Sequence, residues 1–140
     1  MSFMSPIRHR AVLSYGAFDT FGLQDVEFLR KLSRLGDDVI IGCNSDALCD
    51  LQGRPARRSF ETRKAMLESC RYVSRVICAE SHSQRRTDIV NYNVCVFAMA
   101  DVWQGAFDDL LDITQVIYLP RAENRDDRPP VSLIENTCAG

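Results

Sequence analysis

The chain has 140 residues, 46% of them hydrophobic and 26% charged, with a formal net charge of -2. That length suits one domain able to bury roughly two thirds of the surface its unfolded form exposes, and that composition belongs to a folded globular protein and not to a disordered one. The near-balanced charge provides no basic field to draw nucleic acid, and no apolar run approaches the roughly 20 residues that cross a bilayer, so neither nucleic acid nor membrane is expected as a partner.

Met1 to Arg10 lacks the apolar centre of a secretory signal, which predicts a cytoplasmic location. Apolar runs with strand character then recur at Ala11–Tyr15, Val39–Cys43, Val73–Cys78, Val94–Met99 and Gln115–Leu119, each interval long enough to hold a helix. Short continuous Val/Ile runs alternating with helical intervals predict an α/β fold, a five-stranded parallel sheet covered by helices on both faces.

Between the first two runs, Val26, Phe28, Leu29, Leu32 and Leu35 repeat at helical spacing, predicting a helix over Asp25–Leu35 with Gly36 as a left-handed cap. A second helix is predicted over Phe60–Tyr72, a third over Ser83–Tyr92, and a short fourth over Ala106–Asp112. Arg121 to Pro130 reads as an exposed charged loop, with a brief terminal helix over Val131–Asn136. Residues 1–10 and 122–140 are expected to be peripheral to the single domain.

Six cysteines are scattered without a C-x-x-C pair, mostly inside apolar runs, and read as reduced packing residues; no metal site is expected. His9, ahead of the first strand, and His82, in the polar stretch Glu80-Ser81-His82-Ser83, read as surface residues.

The first strand runs into Tyr15-Gly16-Ala17-Phe18-Asp19-Thr20-Phe21-Gly22-Leu23-Gln24-Asp25. Further along stand Leu35-Gly36-Asp37-Asp38, Asn44-Ser45-Asp46, Arg63-Lys64 with Arg71-Tyr72-Val73, Met99-Ala100-Asp101-Val102-Trp103-Gln104-Gly105, and Tyr118-Leu119-Pro120-Arg121. In this order and spacing the blocks resemble the glycerol-3-phosphate cytidylyltransferase family, from about Val12 to Arg121. The resemblance implies a Rossmann-like nucleotidyltransferase fold, CTP and Mg2+ as co-reactants if the chain is active, and pairing as a homodimer.

Residue by residue, it implies that Gly16, Phe18, Asp19, Asp101 and Arg121 contact the nucleotide. It also implies that Arg63 faces the phosphate of the acceptor alcohol and that Trp103 walls the acceptor pocket. Three of these positions have a plainer reading: Gly16 a turn needing positive φ, Arg63 an ion pair, Trp103 rim packing. Arg54, Arg57 and Arg58 are either a phosphate clamp or a solvated basic loop.

Two of the family's motifs are altered. Where His-x-Gly-His should follow, this chain has Gly22-Leu23-Gln24-Asp25, and where Arg-Thr-x-Gly-x-Ser-Thr should close the chain, it has Arg121-Ala122-Glu123-Asn124-Arg125-Asp126-Asp127. Nucleotidyl transfer is positioning plus positive donors on the α-phosphate, and losing one such donor costs on the order of 10²- to 10³-fold in rate. No catalytic residue is therefore assigned. The expectation is a degenerate cytidylyltransferase kept for nucleotide (CTP or CDP) binding or for regulating a partner. The alternatives are an active enzyme moving CMP to a phosphorylated alcohol, and an interaction protein that binds no nucleotide.

Overall fold

The computed structural model describes residues 10–120. Along these the chain forms β1 (Ala11–Gly16), α1 (Leu23–Ser33), β2 (Asp38–Asn44), α2 (Asp46–Leu51), α3 (Phe60–Glu68), β3 (Arg75–Ala79), a 3-10 turn (His82–Gln84) leading into α4 (Arg85–Asn91), and β4 (Val94–Ala100). Two more 3-10 turns, Asp101–Trp103 and Asp108–Leu110, precede β5 (Gln115–Leu119). The charged loop, the terminal helix, His9 and Arg121 lie outside the described residues. Among the described residues no helix is long and apolar enough to cross a membrane.

The five strands pair in parallel in the order β3-β2-β1-β4-β5. Because successive side chains of a strand point to opposite faces, neighbouring apolar residues enter different cores. Val12, Val39, Ile41 and Val96 join Phe28, Leu29 and Leu32 of α1 and Leu67 of α3 on one face. Leu13, Ile40 and Phe97 join Ile89 of α4 and Phe107 and Leu110 of the last turn on the other. Leu32 and Leu67 are fully buried, and each such side chain contributes about 2 kcal/mol relative to exposure. The connection from β3 at the edge back to β4 beside β1 reverses the strand order, so a crevice opens between the carboxyl ends of β1 and β4, where open α/β sheets bind ligands.

The strand expectations hold for all five runs, with β3 starting later, at Arg75, because Ser74 closes the preceding turn against Val39. The helices differ more. α2 is not anticipated by periodicity; its start is the Ser45 side chain, which accepts from the Leu48 N–H at 3.0 Å. The helix predicted to reach Tyr72 stops at Glu68, where Ser69 turns its hydroxyl onto the Met66 carbonyl. The predicted helix over Ala106–Asp112 is a single 3-10 turn. Gly36 is not left-handed; a Cβ there would collide with the Arg10 carbonyl oxygen, so close passage of the chain demands the glycine.

Candidate functional site

A cavity of about 800 Å³ lies at the carboxyl end of the sheet, within the range of small-molecule sites. Its β1 wall begins with Gly16, whose φ is not positive; a Cβ at Gly16 would lie 2.8 Å from the Phe18 ring. Phe18 itself takes φ 53°, a left-handed turn, and folds its buried ring back over the glycine. Close approach therefore explains the Gly-x-Phe pair, in place of the positive-φ turn read from the sequence.

Asp19 follows, lining the cavity and accepting the backbone N–H groups of Arg57 at 2.8 Å and Arg58 at 2.9 Å. Burial pushes its carboxyl up, but these two bonds and the charges of Arg63 and Arg58 outweigh it and hold it below the ordinary value. Asp19 thus ties the basic loop to the end of β1. In that loop Arg54 and Arg57 line the cavity, whereas Arg58 turns its guanidinium to the Met66 sulfur.

Arg63 lies behind the wall. It is 0% exposed, and its guanidinium donates to the carbonyls of Arg58, Ala17 and Asn44 and to Asp46 Oδ1 at 2.6 Å. The arginine expected at the acceptor phosphate instead ties together the ends of β1 and β2 and the basic loop.

At the start of α1, Asp25 is 7% exposed and accepts the Gly22 N–H at 2.9 Å through Oδ2. The positive end of a helix, where an anion would be welcome, is already met by the chain's own carboxylate. Gly22, Gln24 and Asp25 line this wall.

The opposite wall is built by Gln84. Its Oε1 accepts the N–H groups of Glu80 and Ser81, and its Nε2 donates to the Cys78 carbonyl and to Asp88. Asp88, buried, also accepts the Tyr15 hydroxyl at 2.6 Å, which links the end of β1 to α4. Burial, reinforced by that bond, raises the Tyr15 pKa, so the phenol stays a donor.

The segment fixed this way carries His82 and Arg85 into the cavity wall. His82, read from the sequence as a surface residue, is half-buried with its Nε2 3.3 Å from Gln52 Nε2. Burial, with help from the Arg85 charge, lowers its pKa from the ordinary 6.5. Arg85 sits with its guanidinium 5.0 Å from the Phe107 ring centre, and its Nε is buried without a hydrogen-bond partner among the described residues.

The β4 end supplies Met99, Ala100, Val102 and Trp103; the Trp103 ring lies 5.7 Å from Phe107. Asp101 is exposed and outside this lining. Of the expected contacts, the structure gathers Gly16, Phe18, Asp19 and Trp103, and leaves Asp101 and Arg63 out. Cys43 and Cys49 are buried, and burial pushes the Cys43 thiol up to about 12, as expected of packing residues.

The sequence model of the family described as Cytidylyltransferase-like matches residues 13–135. The chain belongs to that family. Among its relatives, this cytidylyltransferase-like chain is 37% identical over 114 residues to a glycerol-3-phosphate cytidylyltransferase of Bacillus subtilis, covering 81% of this chain and 88% of the other. It is 36% identical over 114 residues to the Staphylococcus aureus protein of the same name, covering 81% and 86%. A lipopolysaccharide core biosynthesis protein from Thermoplasma volcanium superposes with a TM-score of 0.70 at 15% identity, over 83% of this chain and all of that one, which shows the shared fold.

Arg85 escaped the sequence reading, although a signal existed. An arginine in the first turn of a helix opposes the helix dipole, and Arg85 stands in the connection that leaves the carboxyl end of β3, on the side of the sheet where ligands bind.

Proposed function

We propose that this cytidylyltransferase-like protein binds a phosphate-bearing nucleotide in the β1–β4 cavity and has little or no nucleotidyl-transfer activity. The observation that carries the reading is the α1 wall: Gly22 offers no side chain, and the Asp25 carboxylate caps the helix start. By the family resemblance these two positions should present imidazoles to the reacting phosphate. A carboxylate there opposes the charge that accumulates on phosphoryl oxygens. Binding is supported by a cavity of nucleotide size and by three cationic side chains around it, Arg54, Arg57 and Arg85.

CTP is the nucleotide and a phosphorylated alcohol such as glycerol 3-phosphate the second ligand, by analogy with the named relatives. Magnesium enters with the nucleotide, as the counter-ion of its triphosphate. Homodimer formation and a cytoplasmic location belong to the same proposal. Titration calorimetry with CTP, CDP and ATP tests it: saturable binding of a cytidine nucleotide is expected, and no heat with any of the three favours a pure interaction protein.

A second reading draws on the same cations. Arg54, Arg57 and Arg85 line one cavity and supply positive charge in place of the missing imidazoles, as a working transferase would need. It requires product from CTP and a phosphorylated alcohol, lost on Arg85→Gln.

A further inference from the structure

We infer that phosphoryl binding at the α4 end of the cavity is coupled to uptake of a proton by His82, with Gln52 as the residue that accommodates both charge states. This deepens the reading of the cavity as a phosphate-ligand site and rests on it. His82 and Arg85 are three residues apart on one continuous turn and line the same cavity. The Arg85 guanidinium, laid over the Phe107 ring, supplies a fixed charge in the cavity wall, beside which an oxyanion would sit.

The partner of the imidazole is a carboxamide. With Gln52 donating to Nε2, the neutral ring carries its proton on Nδ1; once both ring nitrogens are protonated, the same amide turns and accepts through its oxygen. A carboxylate in that place would lock the ring in its charged form; an amide leaves it free to switch.

The other titratable groups that line the cavity include Asp19, Asp25, Tyr15, Cys49 and three arginines. Asp19 and Asp25 are engaged by backbone N–H groups. Tyr15 and Cys49 are pushed up by burial and stay protonated, and Arg54, Arg57 and Arg85 are cations already. In the ligand-free protein, burial and the Arg85 charge disfavour the protonated imidazole. A bound oxyanion offsets that repulsion and draws a proton onto the ring. Affinity therefore rises as pH falls through the titration of His82, and a dianionic phosphate monoester gains the most.

The experiment uses sulfate, whose own charge is constant across the pH range of interest, so that any linkage belongs to the protein. Binding is measured by calorimetry at about pH 5.5 and about pH 8, and the His82 ring signals are followed by NMR with and without sulfate. The wild type is expected to bind more tightly at the lower pH, by up to about tenfold, with the His82 midpoint raised by about one unit on saturation. His82→Gln is expected to flatten the dependence to under about twofold, because the one-unit linkage goes with the imidazole, and Arg85→Gln to lose binding at both pH values. The proposal is overturned by an affinity independent of pH, by no detectable sulfate binding, by an unmoved His82 midpoint, or by pH dependence that survives His82→Gln. The NMR arm needs no variant, and the sulfate readout is independent of CTP, so a nucleotide-binding failure and a failure of this linkage are told apart.

Discussion

At the scale of single residues, Asp25 and Arg63 both serve the scaffold. Asp25 reads as a repulsive charge near phosphate and is also a structural cap, holding the Gly22 N–H. Arg63 reads as a ligand contact and is a buried tie between three carbonyls and Asp46. Truncating it strands those carbonyls, so Arg63→Ala is expected to lower the unfolding free energy by about 3 kcal/mol, read by urea denaturation. A loss under about 1 kcal/mol would mean the guanidinium adds little beyond exposed pairing.

The reverse test restores donors: Gly22→His, Gln24→Gly and Asp25→His together are expected to raise CTP-dependent pyrophosphate release by at least about tenfold, one of the two to three decades such a donor is worth. No gain would place the deficit elsewhere, in the residues that follow Arg121. What was legible at this scale was residue type and order, enough to see the altered motif. Burial was not, which is why His82 was read as a surface residue, Arg85 was passed over, and of the two readings of Arg63 the ion pair, here with Asp46, is the one the fold displays: one-dimensional spacing does not say which side of a strand end a long side chain takes.

At the scale of elements, the strands were readable because β-branched and apolar runs buried on both faces leave a continuous signature, as in Val39-Ile40-Ile41. Helix α2 was not, since its six residues are too few to show a period and it depends on the Ser45 cap. The segment from Glu80 to Arg85 was read as a polar loop leading into a helix, and it is ordered by one side chain, Gln84. Gln84→Ala removes the acceptor of the Glu80 and Ser81 N–H groups. Those two amides are expected to exchange with solvent at least about tenfold faster while the β-sheet amides keep their rates, by hydrogen-exchange NMR. Uniform acceleration would instead report global destabilisation.

At the scale of the whole molecule, the strand order β3-β2-β1-β4-β5 decides where chemistry can occur, by opening the crevice between β1 and β4. Charge distribution then decides what that crevice does, and it also sets how stability follows pH. His82 titrates lower in the folded protein than its ordinary 6.5, so the unfolded chain binds more protons in the window below 6.5 and stability falls as pH drops through it. Asp19, held low in the fold, adds stability that is fully present above the ordinary 3.8 and is lost as pH falls through its folded value. Urea denaturation of ligand-free protein is therefore expected to show stability declining below 6.5, and His82→Gln to remove that upper part of the decline while the acid limb remains. An unchanged profile in the variant would assign the upper limb to other groups.

The central claim is that the cytidylyltransferase-like scaffold persists with its transfer chemistry lost at the start of α1. Its most direct test is steady-state pyrophosphate release from CTP with magnesium and glycerol 3-phosphate, run beside the Bacillus subtilis relative. The account expects turnover below about one hundredth of the ordinary enzyme value of roughly 10 per second, at saturating CTP. Release within that hundredfold, with formation of the CDP-linked product, would contradict it.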